Sequence, residues 1–92
     1  MDERPLHQSH PEIVKRLPRA EGHLRAIVDM IESNRPCVDV AQQLHAVEKA
    51  VEGAKRALVH DHIDRCLDLA AEGNDLAARR SLAEFKTITK YL

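Results

Sequence analysis

The chain has 92 residues, 14 Lys and Arg against 15 Asp and Glu for a formal net charge of −1, one Phe, one Tyr and no Trp. That length suits one small domain whose core is thin without aromatics, so self-association is expected. No apolar run approaches the ~18 residues of a bilayer span, and the start Met-Asp-Glu-Arg-Pro is charged, unlike a secretory signal.

Those exclusions lead us to expect a cytoplasmic protein with no membrane partner. In that compartment two cysteines serve as ligands or sensors rather than as a disulfide.

Three segments carry helical periodicity and none alternates like a strand. In the first, Ile13, Leu17, Ala20, Leu24, Ile27 and Ile31 recur at spacings of three and four, one apolar stripe of a helix. Ser9 reads as its N-cap and Pro11 sits near the first turn. Pro18 falls inside the stripe, which keeps its phase across it, so a kinked helix is predicted rather than a start at Pro18. Ser33-Asn34-Arg35-Pro36 is the break.

The second helix is predicted from Pro36 to about Glu72, with Val40, Leu44, Val47, Val51, Ala54 and Leu58 as its stripe and Gly73-Asn74 as its end. At ~1.5 Å per residue it is roughly 50 Å long, more than a small monomer covers. The third runs from about Asp75 to the end, with Ala78, Leu82, Phe85, Ile88 and Leu92 on one face. The expected fold is all-α, three helices in a single domain over 1–92, with 1–9 flexible.

The strongest chemical signal is His62-Ile63-Asp64-Arg65-Cys66. Residues four apart share a helix face, so His62 and Cys66 can hold one ion. Thiolate with imidazole suits Cu(I), Zn(II) or Ni(II), and a second thiolate tilts the choice toward Cu(I). The other cysteine, Cys37, opens the same helix. It lies about 38 Å from His62 along a straight helix, too far to meet it within one chain. An antiparallel pair of these helices brings Cys37 of one chain to His62 and Cys66 of the other, with the two-fold axis near Ala50 and Val51. The small residues Ala46, Ala50, Gly53 and Ala54 around that point suit close helix approach. Such symmetry gives two equivalent sites per dimer.

His7 and His10 are candidate additional ligands from the N-terminus. His60 points about 160° away from His62 around the helix, and His23 and His45 read as surface residues. Lys15, Arg16 and Arg19 on the first helix, and Lys49, Lys55 and Arg56 on the second, are the candidate DNA-binding cations. No Gly-rich phosphate cradle or second carboxylate constellation accompanies the metal signal, so no enzyme is expected.

These residues resemble the CsoR/RcnR family of metal-responsive transcriptional repressors, most closely its copper-sensing branch. The carrying segments are Arg16-Leu17, Glu21-Gly22-His23-Leu24-Arg25, Cys37-Val38-Asp39-Val40, Gln43-Leu44-His45-Ala46-Val47 and His60 to Cys66. The resemblance implies antiparallel dimers through the second helix, a four-helix-bundle-like core and a dimer of dimers. It also implies a trigonal Cu(I) site at Cys37, His62 and Cys66. The apo form is expected to bind operator DNA, with metal releasing it to derepress efflux or resistance genes. Arg16 and Arg56 fall where relatives are basic.

The chain departs from the copper branch at three positions. Pro36 stands where Tyr is common, Gly53 replaces an arginine, and Ser81 takes the place of a helix-3 glutamate, with Glu84 three residues on. Nickel- and cobalt-sensing members recruit an N-terminal histidine, so Ni(II) or Co(II) sensing with His7 or His10 is the alternative, and a metal chaperone that binds no DNA is another. Asp2 argues against the formaldehyde-sensing branch and His62 against the persulfide-sensing one.

Overall fold

The computed structural model describes residues 8–72 and 75–92. Helix α1 spans His10–Glu32, α2 Cys37–Glu72 and α3 Asp75–Ile88, and a 3-10 turn follows at Thr89–Tyr91. No strand occurs among the described residues. The predicted end of the second helix at Gly73-Asn74, and residues 1–7 of the stretch 1–9 expected to be flexible, lie outside the described residues. None of the helices is long and apolar enough to cross a membrane.

Pro18 lies inside α1, so the helix runs through the proline instead of starting at it. Ser9 stands immediately before α1, and it also ties the start of this helix to α2. The Ser9 hydroxyl and backbone N–H both donate to Asp61 Oδ2, at 2.6 and 3.0 Å.

The α1–α2 break has a specific geometry. Asn34 takes φ 60°, the left-handed conformation that Asn tolerates better than most side chains. The Arg35 N–H reaches the Met30 carbonyl at 2.9 Å and the Asn34 N–H reaches Ile31 at 3.1 Å. This pair of bonds is a Schellman ending, which satisfies the last carbonyls of α1. Pro36 then accepts the first bond of α2, from the Val40 N–H at 3.1 Å. Proline suits that position because its missing N–H is one the helix start does not use.

The described residues fall into two compact units. One comprises residues 11–55, with Ile13, Ala20, Ile27, Val47 and Ala54 buried. Within it His23 Nε2 donates to Gln43 Oε1 at 2.6 Å, tying α1 to α2. The other comprises 8–10, 56–72 and 75–92, where Val59 and Cys66 are each 2% exposed and Ser81 is buried.

The predicted stripes are only half covered. Ile13, Ala20 and Ile27 are buried, while Leu17, Leu24 and Ile31 from the same stripe are 45%, 44% and 57% exposed. On α2, Val47 and Ala54 are buried, yet Leu44, Val51 and Leu58 are open. Each of these half-exposed aliphatic side chains forgoes roughly half of the about 1.5–3 kcal/mol that full burial contributes.

Candidate metal centre

Cys66 sits on α2, almost fully buried. One helical turn earlier, His62 presents its ring on the same face, with its side chain 26% exposed. The third group comes from α3. Glu84 Oε2 stands 3.5 Å from His62 Nε2 and accepts from the Cys66 thiol at 3.9 Å. Ligand atoms of His62, Cys66 and Glu84 all lie within 4.8 Å of one another.

The electrostatics of the thiol follow from that setting. Burial pushes the Cys66 thiol above its ordinary range, and the charge and hydrogen bond of Glu84 push it the same way, against a smaller opposing effect of Arg65. The apo thiol therefore holds its proton at neutral pH. A thiol, an imidazole nitrogen and a carboxylate oxygen of one chain thus stand close enough together that they could hold a metal ion.

The sequence-derived candidates divide as follows. His62 and Cys66 come together as their spacing predicts. Cys37 is exposed at the start of α2 and belongs to the other compact unit. His10 is exposed at the start of α1, and His7 lies outside the described residues. His60 and His45 are exposed, whereas His23 is half-buried against Gln43 rather than a plain surface residue. Lys15, Arg16, Arg19, Lys55 and Arg56 are all exposed, and Arg16 also contacts Glu12 at 3.5 Å.

Glu84 is the member that sequence reasoning placed least well. It was visible only as an acid one turn beyond Ser81. Here Ser81 is buried, and the carboxylate that reaches the two ligands is Glu84. Both residues line a cleft of about 390 Å³ with Leu69, Leu76 and Arg80. A second cleft, of about 400 Å³, opens beside His62 and Glu84 and is lined also by Thr87 and Ile88.

Residues 9–91 match the family described as metal-sensitive transcriptional repressor. The chain belongs to that family. This metal-sensitive transcriptional repressor is 39% identical over 80 residues to the copper-sensing transcriptional repressor CsoR of Mycobacterium ulcerans, covering 86% of this chain and 68% of that one. It is 37% identical over 81 residues to CsoR of Bacillus subtilis, covering 86% and 80%. The solved structure of the nickel-responsive transcriptional regulator InrS superposes on the repressor with a TM-score of 0.78 at 32% identity, covering 100% of this chain and 98% of that one. DNA binding and metal binding by this chain follow from the family.

Proposed function

We propose that this repressor senses Cu(I) at a site shared between two chains, with Cys37 from one and His62 and Cys66 from the other. The observation that carries the reading is the convergence of His62, Cys66 and Glu84 in one protomer, while the only other thiol is exposed at the far end of the same unbroken helix. A second chain running antiparallel along α2 supplies that thiol, and the cleft beside His62 gives it room. Two thiolates and an imidazole form a soft set that favours Cu(I). In this reading Glu84 accepts a hydrogen bond from the His62 ring and orients it, the part played by carboxylates behind ligating histidines.

The apo form binds operator DNA through Lys15, Arg16, Arg19, Lys55 and Arg56, which a dimer of dimers presents several times over. Metal ties the two α2 helices together at both ends, neutralises the thiolates and shifts the basic faces, so the DNA is released and efflux or resistance genes are derepressed. Both compact units act as one sensing domain over 1–92 in the cytoplasm, without catalysis. Coupling of this kind is reciprocal, so DNA weakens metal affinity by the factor by which metal weakens DNA affinity.

A second reading, nickel or cobalt sensing, is favoured by one feature. Glu84 is a hard oxygen donor within reach of the same ion, and His10 is a further nitrogen donor. Harder donors suit divalent ions, and InrS is nickel-responsive by name.

The test is titration of the reduced repressor on operator DNA with Cu(I), Ni(II), Co(II) and Zn(II), read by fluorescence anisotropy. Release by Cu(I) at one ion per site is expected. Release by Ni(II) alone gives the site to the second reading, and absence of sequence-specific DNA binding makes the protein a metal chaperone.

A further inference from the structure

The start of α1 is fastened to the α2 turn that carries a metal-ligand candidate. Ser9 stands one residue before α1, and Asp61 one residue before His62. The Ser9 backbone N–H and hydroxyl both donate to Asp61 Oδ2, at 3.0 and 2.6 Å. A hydroxyl bonded to a carboxylate at that length is charge-assisted and about twice as strong as a neutral bond. The carboxylate also lies at the N-terminal end of α1, where the helix dipole favours negative charge. The contact joins residues 52 positions apart and is part-buried, which strengthens it further. Both bonds converge on a single oxygen, so a small displacement of that oxygen strains the two together.

The clip joins the metal centre to the helix that bears basic residues. Ser9, Asp61, His62, Cys66 and Glu84 belong to one compact unit. Helix α1 starts there at His10, and from residue 11 onward it belongs to the other unit, with Lys15, Arg16 and Arg19 in its next turns. A helix is a rigid element that carries a displacement along its axis. The other tie between α1 and α2, His23 to Gln43, joins two members of residues 11–55. The carboxylate gathered with His62 and Cys66 is that of Glu84 rather than Asp61.

We propose that the Ser9–Asp61 clip transmits metal occupancy to α1. When His62 and Cys66 close on an ion, the α2 turn that includes Asp61 is fixed with them. Asp61 Oδ2 moves with that turn, and its two bonds carry the displacement to the residue from which α1 departs. Ser9 and Asp61 are positioning residues, and neither contacts the ion or the DNA. The inference rests on the metal-responsive reading above and names the contact through which the site regulates DNA affinity. A clip that only capped α1 would add stability and leave the metal response alone.

The test uses the full-length reduced protein on operator DNA, with anisotropy read without metal and at saturating Cu(I) or Ni(II). The ratio of the dissociation constants with and without metal is the coupling factor. Ser9→Ala removes the hydroxyl bond, Asp61→Asn removes the charge behind both bonds, and Ser9→Thr keeps a hydroxyl. In Ser9→Ala and Asp61→Asn the coupling factor falls about fivefold, while apo-form DNA affinity and metal affinity stay within about twofold. Ser9→Thr keeps the unaltered factor. The double variant falls no further than Asp61→Asn alone, because both side chains act through one contact. Circular dichroism and sedimentation check fold and assembly, and Ser9→Ala decides if Asp61→Asn does not fold. An unchanged coupling factor in the single variants, with a lower urea midpoint, makes the clip a cap only; that overturns the link and leaves the repressor reading standing. Metal affinity lost in step with the coupling places Asp61 in the metal site and overturns the link as well. A coupling factor of one in the unaltered protein overturns the metal-responsive reading itself, and the link with it.

Discussion

At the scale of single residues, the chemistry turns on Cys66 and the carboxylate beside it. Because Cys66 is buried with its thiol pushed up, it reacts with iodoacetamide at least about tenfold more slowly than exposed Cys37 at neutral pH. Peptide mass spectrometry of partly alkylated apo protein reads this, and equal rates would contradict the burial. Glu84→Gln removes one cause of the shift and leaves desolvation, so Cys66 alkylation accelerates without reaching the Cys37 rate. The pH dependence has a definite sign. A thiol whose folded pKa exceeds its unfolded value adds stability below the unfolded value of about 8.5 and loses it as pH rises toward the folded one. The apo protein is therefore less stable to urea above that pH, and Cys66→Ala flattens the dependence. In the proposed site metal affinity is expected to run the other way: binding would expel the thiol proton, so it would tighten by up to about tenfold per pH unit below the thiol pKa.

At the scale of elements, the helices themselves were legible in the chain. The three apolar stripes and the break at Ser33 to Pro36 gave boundaries within a residue or two for α1, α2 and the start of α3, because spacing and turn chemistry are local, whereas α3 ends at Ile88 and a 3-10 turn at Thr89–Tyr91 replaces the helix predicted to run to Leu92. Pro18 was legible as a conflict, and the unbroken α1 resolves it. Replacing Pro18 with Ala is expected to raise the melting temperature, since a mid-helix proline costs up to about 3 kcal/mol. The Asn34 position makes the opposite kind of prediction. Asn34→Val forces a branched side chain into φ 60° and costs roughly 1–2 kcal/mol, whereas Asn34→Gly is neutral or stabilising; urea unfolding of both variants checks the order. Contacts between elements were not legible. Glu84 reaches His62 and Cys66 from α3, His23 meets Gln43 across α1 and α2, and Ser9 bonds Asp61. Each joins residues far apart in the sequence, so no periodicity announces them. An acid one turn past the expected position was the only signal for Glu84.

At the scale of the whole molecule, large aliphatic side chains stand exposed in rows along α1 and α2. Leu17, Leu24 and Ile31 stand open on a face whose other members are buried, and Leu44, Val51 and Leu58 stand open beside buried Val47 and Ala54. Scattered exposed leucines need no explanation, but aligned ones mark interfaces. The expected result of sedimentation equilibrium is a dimer or tetramer with no stable monomer, and Val51→Lys weakens it by placing a charge on the aligned face.

The proposed shared metal site is tested most directly by complementation between two variants expected to be inactive. Cys37→Ala and His62→Ala chains each lack every complete site in the intersubunit arrangement. Mixed and allowed to exchange subunits, they form dimers in which Cys37 of the His62→Ala chain meets His62 and Cys66 of the Cys37→Ala chain. Cu(I) binding and Cu(I)-driven release of operator DNA should be absent from each variant and return in the mixture, at one ion per mixed dimer. A Cys37→Ala chain that binds Cu(I) and releases DNA on its own would show that the ligands come from a single chain, and a mixture as inert as its components would contradict the shared site.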